Sequence, residues 1–138
     1  MLWAATSASG RPGFALWHLF LAVTTPALDR ALQTEYGLQN PIYTHSVYWT
    51  PDMLECLATK YGIRVITVHQ YPGQAVFIPA GCPHQVCNMV DAIKIACDFF
   101  SVENITHTQH LTKELHQQRL TSGSGDDVLQ FYTTLWYT

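Results

Sequence analysis

Residues 73–88 read GQAVFIPAGCPHQVCN. Apolar residues run from Ala75 to Ile78, Pro79, Gly81 and Pro83 mark a turn, and a second run from Pro83 to Asn88 carries His84 at its start. The stretch predicts two short strands joined by that turn, with one imidazole just beyond it. Successive side chains of a strand face opposite ways, so His84, Val86 and Asn88 share one side and Gln85 and Cys87 the other. The following run, Ala92 to Phe99, sets Ile93, Ile95, Cys97 and Phe99 against Lys94, Ala96 and Asp98.

Two readings of this pattern stay open. The polar side is wetted by solvent, or His84, Asn88, Lys94 and Asp98 line one polar cavity in an apolar barrel. His84 is correspondingly a core histidine with a satisfied hydrogen bond or a metal ligand. Lys94 follows His84 by ten residues, across one turn. On neighbouring antiparallel strands two such side chains can enter the same space, where a lysine can clamp a carboxylate.

Outward from this block, the chain has 138 residues, enough for one compact domain, with 48% hydrophobic and 12% charged residues. That composition excludes an extended disordered chain. A net charge of -3 gives no basic footprint for direct nucleic-acid binding. The apolar runs near residue 15 are broken by His18 and too short to span a bilayer, and no secretory signal is expected at the N-terminus. Four cysteines (Cys56, Cys82, Cys87, Cys97) without such a signal suggest reduced thiols in an intracellular protein.

Residues 1–13 are expected to be a loose leader, and Phe14 to Ala22 a buried strand or a buried helix, with strand favoured. Thr25-Pro26 offers an N-cap before proline, Leu28, Leu32 and Tyr36 recur at helical spacing, and Gly37 closes the helix. The same start returns at Thr50-Pro51-Asp52 and the same stop at Gly62. Arg64 to His69 is β-branched and predicts a strand. Ser101 opens a longer helix with Glu103 in its first turn. Residues 121–125 read as a linker and 126–138 as a C-terminal helix. The pattern is mixed: helices on a small set of strands.

GQAVFIPAGCPHQVCN, with AIKIACDFFSVENI (92–105) after it, resembles the C-terminal half of a JmjC (jumonji C) domain, nearest the hairless-like histone H3 lysine demethylase subfamily. ALWHLF (15–20), NPIYTHSVYW (40–49), LATKYGI (57–63) and HLTKEL (110–115) have counterparts there in the same order. The resemblance implies a mainly β fold with flanking helices, a partial double-stranded β-helix (jelly roll, cupin-like) over residues 14–120. It further implies an oxygenase using Fe(II) and 2-oxoglutarate as cosubstrate, with iron on a His-x-Asp pair and a distal histidine. His84 matches that distal ligand. Lys94 and Asn88 would contact the cosubstrate, and Ala96 and Asp98 would line the substrate pocket. The implied chemistry is oxidative N-demethylation of a methylated lysine on the histone H3 tail, in the nucleus, with no membrane involved.

The sequence also departs from the family. None of its seven histidines has Asp or Glu two residues later; Phe20, Val47, Tyr71, Val86, Gln109, Thr112 and Gln118 stand there. In relatives the cosubstrate lysine usually comes from an earlier strand than the one holding Lys94. Tyr43 stands where relatives often place histidine, and Cys97 where they often place an acid. One imidazole is expected to hold iron weakly and to turn over no 2-oxoglutarate. Half a jelly roll leaves open sheet edges and an uncovered face, so a further polypeptide completing the barrel, or self-association, is expected.

Three other readings compete. Zinc on Cys82, His84, Cys87 and Cys97 is opposed by the parity of His84 and Cys87 and by the lack of a tight Cys-x-x-Cys knuckle. A cysteine nucleophile beside His84 lacks a third, orienting residue. A non-catalytic, chromatin-associated scaffold is the alternative to an enzyme.

Overall fold

The computed structural model describes residues 2–5, 10, 12–44, 47–122 and 130–136. The chain divides into two compact units, residues 1–96 and 97–138.

In the first unit, strands β1 (Leu2–Ala4) and β2 (Ala15–Leu19) precede helices α1 (Thr25–Tyr36), α2 (Pro41–Thr44) and α3 (Pro51–Tyr61). Strands β3 (Ile66–Gln70), β4 (His84–Asn88) and β5 (Ala92–Lys94) follow. β2 is the middle of a three-stranded antiparallel sheet in the order β3-β2-β4, and β1 pairs antiparallel with β5 in a separate two-stranded sheet. The fold is thus antiparallel strands with flanking helices, as expected.

The helices form where local signals place them. Thr50 is extended and its Oγ1 accepts the Met53 N–H at 3.4 Å, Pro51 sits in the first turn, and Gly62 ends α3 in the left-handed region at φ 68°. A side chain at that φ would be strained, which is why glycine stands there. The start of α1 differs from expectation. Thr25 is not its cap; a 3-10 turn (Ala22–Thr24) leads in, and the Thr25 hydroxyl donates instead to the Gly81 carbonyl at 3.3 Å. The hydroxyl has thereby been recruited to tie α1 to the turn that launches β4.

The core lies among the helices. Phe20, Leu28, Ala31, Leu32, Trp49, Leu57 and Ile63 are buried together, and Phe20 meets Trp49 edge-to-face at 4.7 Å. Each fully buried Leu contributes about 1.5–3 kcal/mol of transfer free energy. Lys60 and Tyr61 at the end of α3 both donate to Glu35 of α1, which holds the Glu35 carboxyl below the usual range.

Three strand expectations change. Residues 2–4, expected in a loose leader, form β1 because Leu2 is buried and their backbone completes β5. Ala75 to Ile78 is not a strand: β3 and β4 already occupy both sides of β2, so no ladder position beside it remains. The run from Ala92 ends at Lys94 rather than Phe99, since its partner β1 is only three residues long.

The second unit holds a 3-10 turn (Val102–Asn104), α4 (Ile105–Ser122) and α5 (Phe131–Trp136). α4 runs through the first two residues of the expected linker; residues 123–129, where the rest of the linker and the start of the last helix were expected, lie outside the described residues. Buried Phe131 packs edge-on against Phe100 at 5.3 Å.

Candidate functional site

The β2 register fixes which side chains share a face. Leu19 pairs with His84 and Ile66, Trp17 with Val86 and Val68, and Ala15 with Asn88 and Gln70. These residues lie on one side of the sheet. Leu16, His18, His69, Gln85 and Cys87 lie on the other.

That second side is tied to the segment leading into α3. Gln85 Oε1 accepts the Trp49 N–H at 2.6 Å, while its Nε2 donates to the Trp49 carbonyl and to His18 Nδ1, both at 2.9 Å. Because the amide nitrogen can only donate, His18 Nδ1 accepts, and the network assigns the neutral Nε2–H tautomer to His18. Burial, and secondarily the charge of His69, pushes the His18 pKa down, which agrees with a neutral ring.

The first side carries the candidate site. His84 is exposed, and its Nδ1 lies 3.0 Å from the Cys82 carbonyl. A carbonyl accepts only, so Nδ1 bears the proton and the Nε2 lone pair is left for a ligand, the arrangement usual for a metal-binding histidine. The His84 ring stands 6.0 Å from the ring of Trp17, centroid to centroid. Trp17 donates its indole N–H to Gln70 Oε1 at 2.8 Å, and Gln70 Nε2 donates to the Gln74 carbonyl at 3.0 Å. The Lys94 ammonium lies 5.5 Å from the centre of the Trp17 ring, a cation–π contact.

Of the residues singled out in the sequence, His84 and Asn88 share a face of β4 two pleats apart, as parity predicted. Lys94 also reaches this neighbourhood, but not as expected: β5 is no hairpin partner of β4, and Lys94 meets the face through Trp17. Ala96 and Asp98 are exposed and outside any strand, and Asp98 belongs to the second unit. Trp17, Gln70 and Gln85 were missed as site-building residues. The alternation within ALWHL hinted at Trp17; nothing in the sequence alone singles out the two glutamines.

Among the described residues no group of three or more His, Cys, Asp or Glu is close enough to hold a metal ion. The four cysteines are free thiols, and Cys87 lies on the face opposite His84. A facial triad needs two protein ligands besides one imidazole. The described residues therefore do not fit a complete iron site.

Residues 11–99 match the family described as JmjC domain, hydroxylase. The chain belongs to the JmjC family. JmjC hydroxylases are generally Fe(II)- and 2-oxoglutarate-dependent, with a cupin-like, mainly β architecture, of which the strands here are a part. Within the family the chain is similar to lysine-specific demethylase 3A of Homo sapiens, 35% identical over 135 residues, covering 92% of this chain and 10% of the relative. It is 36% identical to lysine-specific demethylase 3 of Drosophila melanogaster over 135 residues, covering 91% of this chain and 16% of that protein. Lysine-specific demethylase JMJ29 of Arabidopsis thaliana is 36% identical over 130 residues, covering 86% and 15%. The chain thus spans between 10% and 16% of the length of these curated JmjC relatives. Among the described residues no helix is long and apolar enough to cross a membrane.

Proposed function

We propose that this chain is the distal-histidine portion of an Fe(II)/2-oxoglutarate-dependent lysine demethylase domain, acting on the histone H3 tail in the nucleus. In such a domain the bound iron and cosubstrate supply the oxidation of an N-methyl group. The residues here do the holding and orienting. His84 offers Nε2 to iron, its ring set by the Cys82 carbonyl and backed by Trp17. Lys94 and Asn88 would hold the carboxylates of the cosubstrate, and Ala96 and Asp98 would border the substrate. The observation that carries the reading is the 3.0 Å contact of His84 Nδ1 with the Cys82 carbonyl, which leaves Nε2 as the ring's ligand atom on the strand face shared with Asn88.

With no His-x-Asp pair in this sequence, the chain by itself binds ferrous ion weakly and turns over no 2-oxoglutarate. A polypeptide carrying the two further ligands completes the barrel. The purified chain, given iron, ascorbate, 2-oxoglutarate and a dimethylated H3-tail peptide, forms no succinate above the blank. Added Mn(II), standing in for ferrous ion, broadens the ring resonances of His84 and its neighbour Trp17 before those of His69, and His84→Asn removes the selective broadening of Trp17. Succinate formation by the chain alone overturns the inactivity; loss of selectivity for His84 overturns the ligand assignment.

A second reading, a non-catalytic chromatin-associated interaction module, is favoured by the exposed aromatic rings of Tyr132 and Trp136 on α5. Supplying the two missing ligands on an upstream segment separates the readings. Turnover then supports the oxygenase, and continued silence supports the module.

A further inference from the structure

The side chain of Gln85 pairs with the backbone of Trp49 as a neighbouring strand would. Its Oε1 accepts the Trp49 N–H at 2.6 Å, and its Nε2 donates to the Trp49 carbonyl at 2.9 Å. These two bonds fix which end of the amide is which, because turning it over sets donor against donor and acceptor against acceptor. The remaining Nε2 hydrogen is committed to His18 Nδ1, 2.9 Å away. That nitrogen accepts only while it carries no proton.

An imidazolium has no acceptor. A proton on His18 Nδ1 sets N–H against N–H, and the amide cannot turn over to receive it without losing both bonds to Trp49. Trp49 has little else polar to hold it. Its indole N–H is buried and, among the described residues, has no hydrogen-bond partner. A buried donor left unpaired costs free energy that solvent returns, so freeing this residue offsets part of the loss. Trp49 also stands directly before Thr50, the cap of α3, so the pair ties that helix start to β4.

Among the described residues, the groups around His18 do not favour a charged ring. Thr67 stands directly across on β3, with His69 two residues further on against the Phe14 ring at 5.0 Å. β4 brings Gln85 and the Cys87 thiol to the same face, and Tyr48, beside Trp49, is hydrogen-bonded to that thiol. None of these is a carboxylate. Burial opposes the positive charge first, and His69 opposes it second.

We propose that His18 is a proton-sensitive latch. The protonated ring and the Gln85–Trp49 pair exclude each other, so acidification frees residues 47–50 from β4 while the sheet itself stays paired. The latch uses none of the residues assigned to iron, cosubstrate or substrate, so it stands or falls separately from the iron reading.

The test follows the full chain by NMR from about pH 8 to about pH 5, the interval in which histidine charges. Ring nitrogen shifts of His18 give its tautomer at the alkaline end and its titration midpoint. The Gln85 side-chain amide and the Trp49 N–H are expected to shift with that same midpoint. Protection of the Trp49 amide against hydrogen exchange falls by about tenfold, the equivalent of one ordinary hydrogen bond. The amides of Trp17 and Val68, partners across β2 and β3, keep theirs. His18→Gln supplies an acceptor that does not titrate and abolishes the pH dependence at Trp49. His69→Gln removes the neighbouring charge and moves the midpoint up without abolishing the transition. Should either variant misfold, the coincidence of midpoints in the unaltered chain still decides. Constant protection of Trp49 through the His18 titration overturns the proposal, as does an Nδ1–H tautomer at alkaline pH. Equal loss of protection at Trp17 and Val68 also overturns it, since that is acid unfolding of the whole sheet.

Discussion

Trp17 donates its indole N–H to Gln70 Oε1 at 2.8 Å, and the other end of that amide is bound to the Gln74 carbonyl. Gln70 is only 4% exposed. A buried amide with both ends satisfied holds the indole in one orientation, against which the His84 ring and the Lys94 ammonium rest. The candidate site therefore has a fixed floor, made by β2 and β3.

Replacing Gln70 by Leu leaves the Trp17 N–H and the Gln74 carbonyl without that partner. The expected cost is about 1–3 kcal/mol, read from urea unfolding. The Lys94 side-chain methylene protons, shifted upfield by the Trp17 ring current, move back toward their free values. Unchanged methylene shifts would show that Gln70 does not orient the indole.

Gln85 makes three hydrogen bonds, two to the Trp49 backbone and one to His18. Gln85→Ala is expected to destabilise the first unit by about 2–3 kcal/mol, since it orphans both backbone groups of a buried residue. The far-ultraviolet spectrum stays unchanged, while Trp49 and Phe20 amides gain exchange rate.

His18 titrates below the ordinary histidine value of 6.5, through burial first and the charge of His69 second. As pH falls through 6.5 the unfolded chain takes this proton before the folded one. The contribution of His18 to stability is therefore complete above 6.5 and declines as pH falls toward its folded value. Urea midpoints across this interval should drop with acidity, and His18→Gln should flatten the slope. A slope unaltered by that substitution would assign the acid sensitivity elsewhere.

A Cβ on Gly13 would lie 2.1 Å from Val90 Cγ2 and 2.3 Å from the Ala5 carbonyl. The Gly13 N–H also donates to that carbonyl at 3.1 Å. Gly13→Ala forces the end of β1 away from the β4–β5 turn, at a cost of about 1–3 kcal/mol. Amides on β1 and β5 should exchange faster than in the parent chain, and those on β2 should not.

Helix α3 and the stop of α1 were legible in the sequence because caps act within a few residues: Thr50 and Pro51 open one helix, and Gly62 and Gly37 close both. The sharing of a face by His84 and Asn88 was legible too, because the pleat has a fixed period. Strand partners were not. Lys94 was expected beside β4 and lies on a strand that pairs with Leu2–Ala4, and Ala75 to Ile78 had strand composition but no ladder to join. Composition records how well a segment suits an edge, and which edge is vacant depends on every other strand.

The sequence by itself determined the family, through the block from Gly73 to Asn88, and the two-residue alternation that puts His84 and Val86 on one side. Both are local properties of the chain. Only the tertiary structure decided that Trp17, from β2, has both the His84 ring of β4 and the Lys94 ammonium of β5 near its own ring, with Gln70 of β3 holding it. Those four residues come from four strands, and no local preference encodes where distant strands meet. Their meeting follows from burial of the core and from the demand that backbone groups find partners across the sheets.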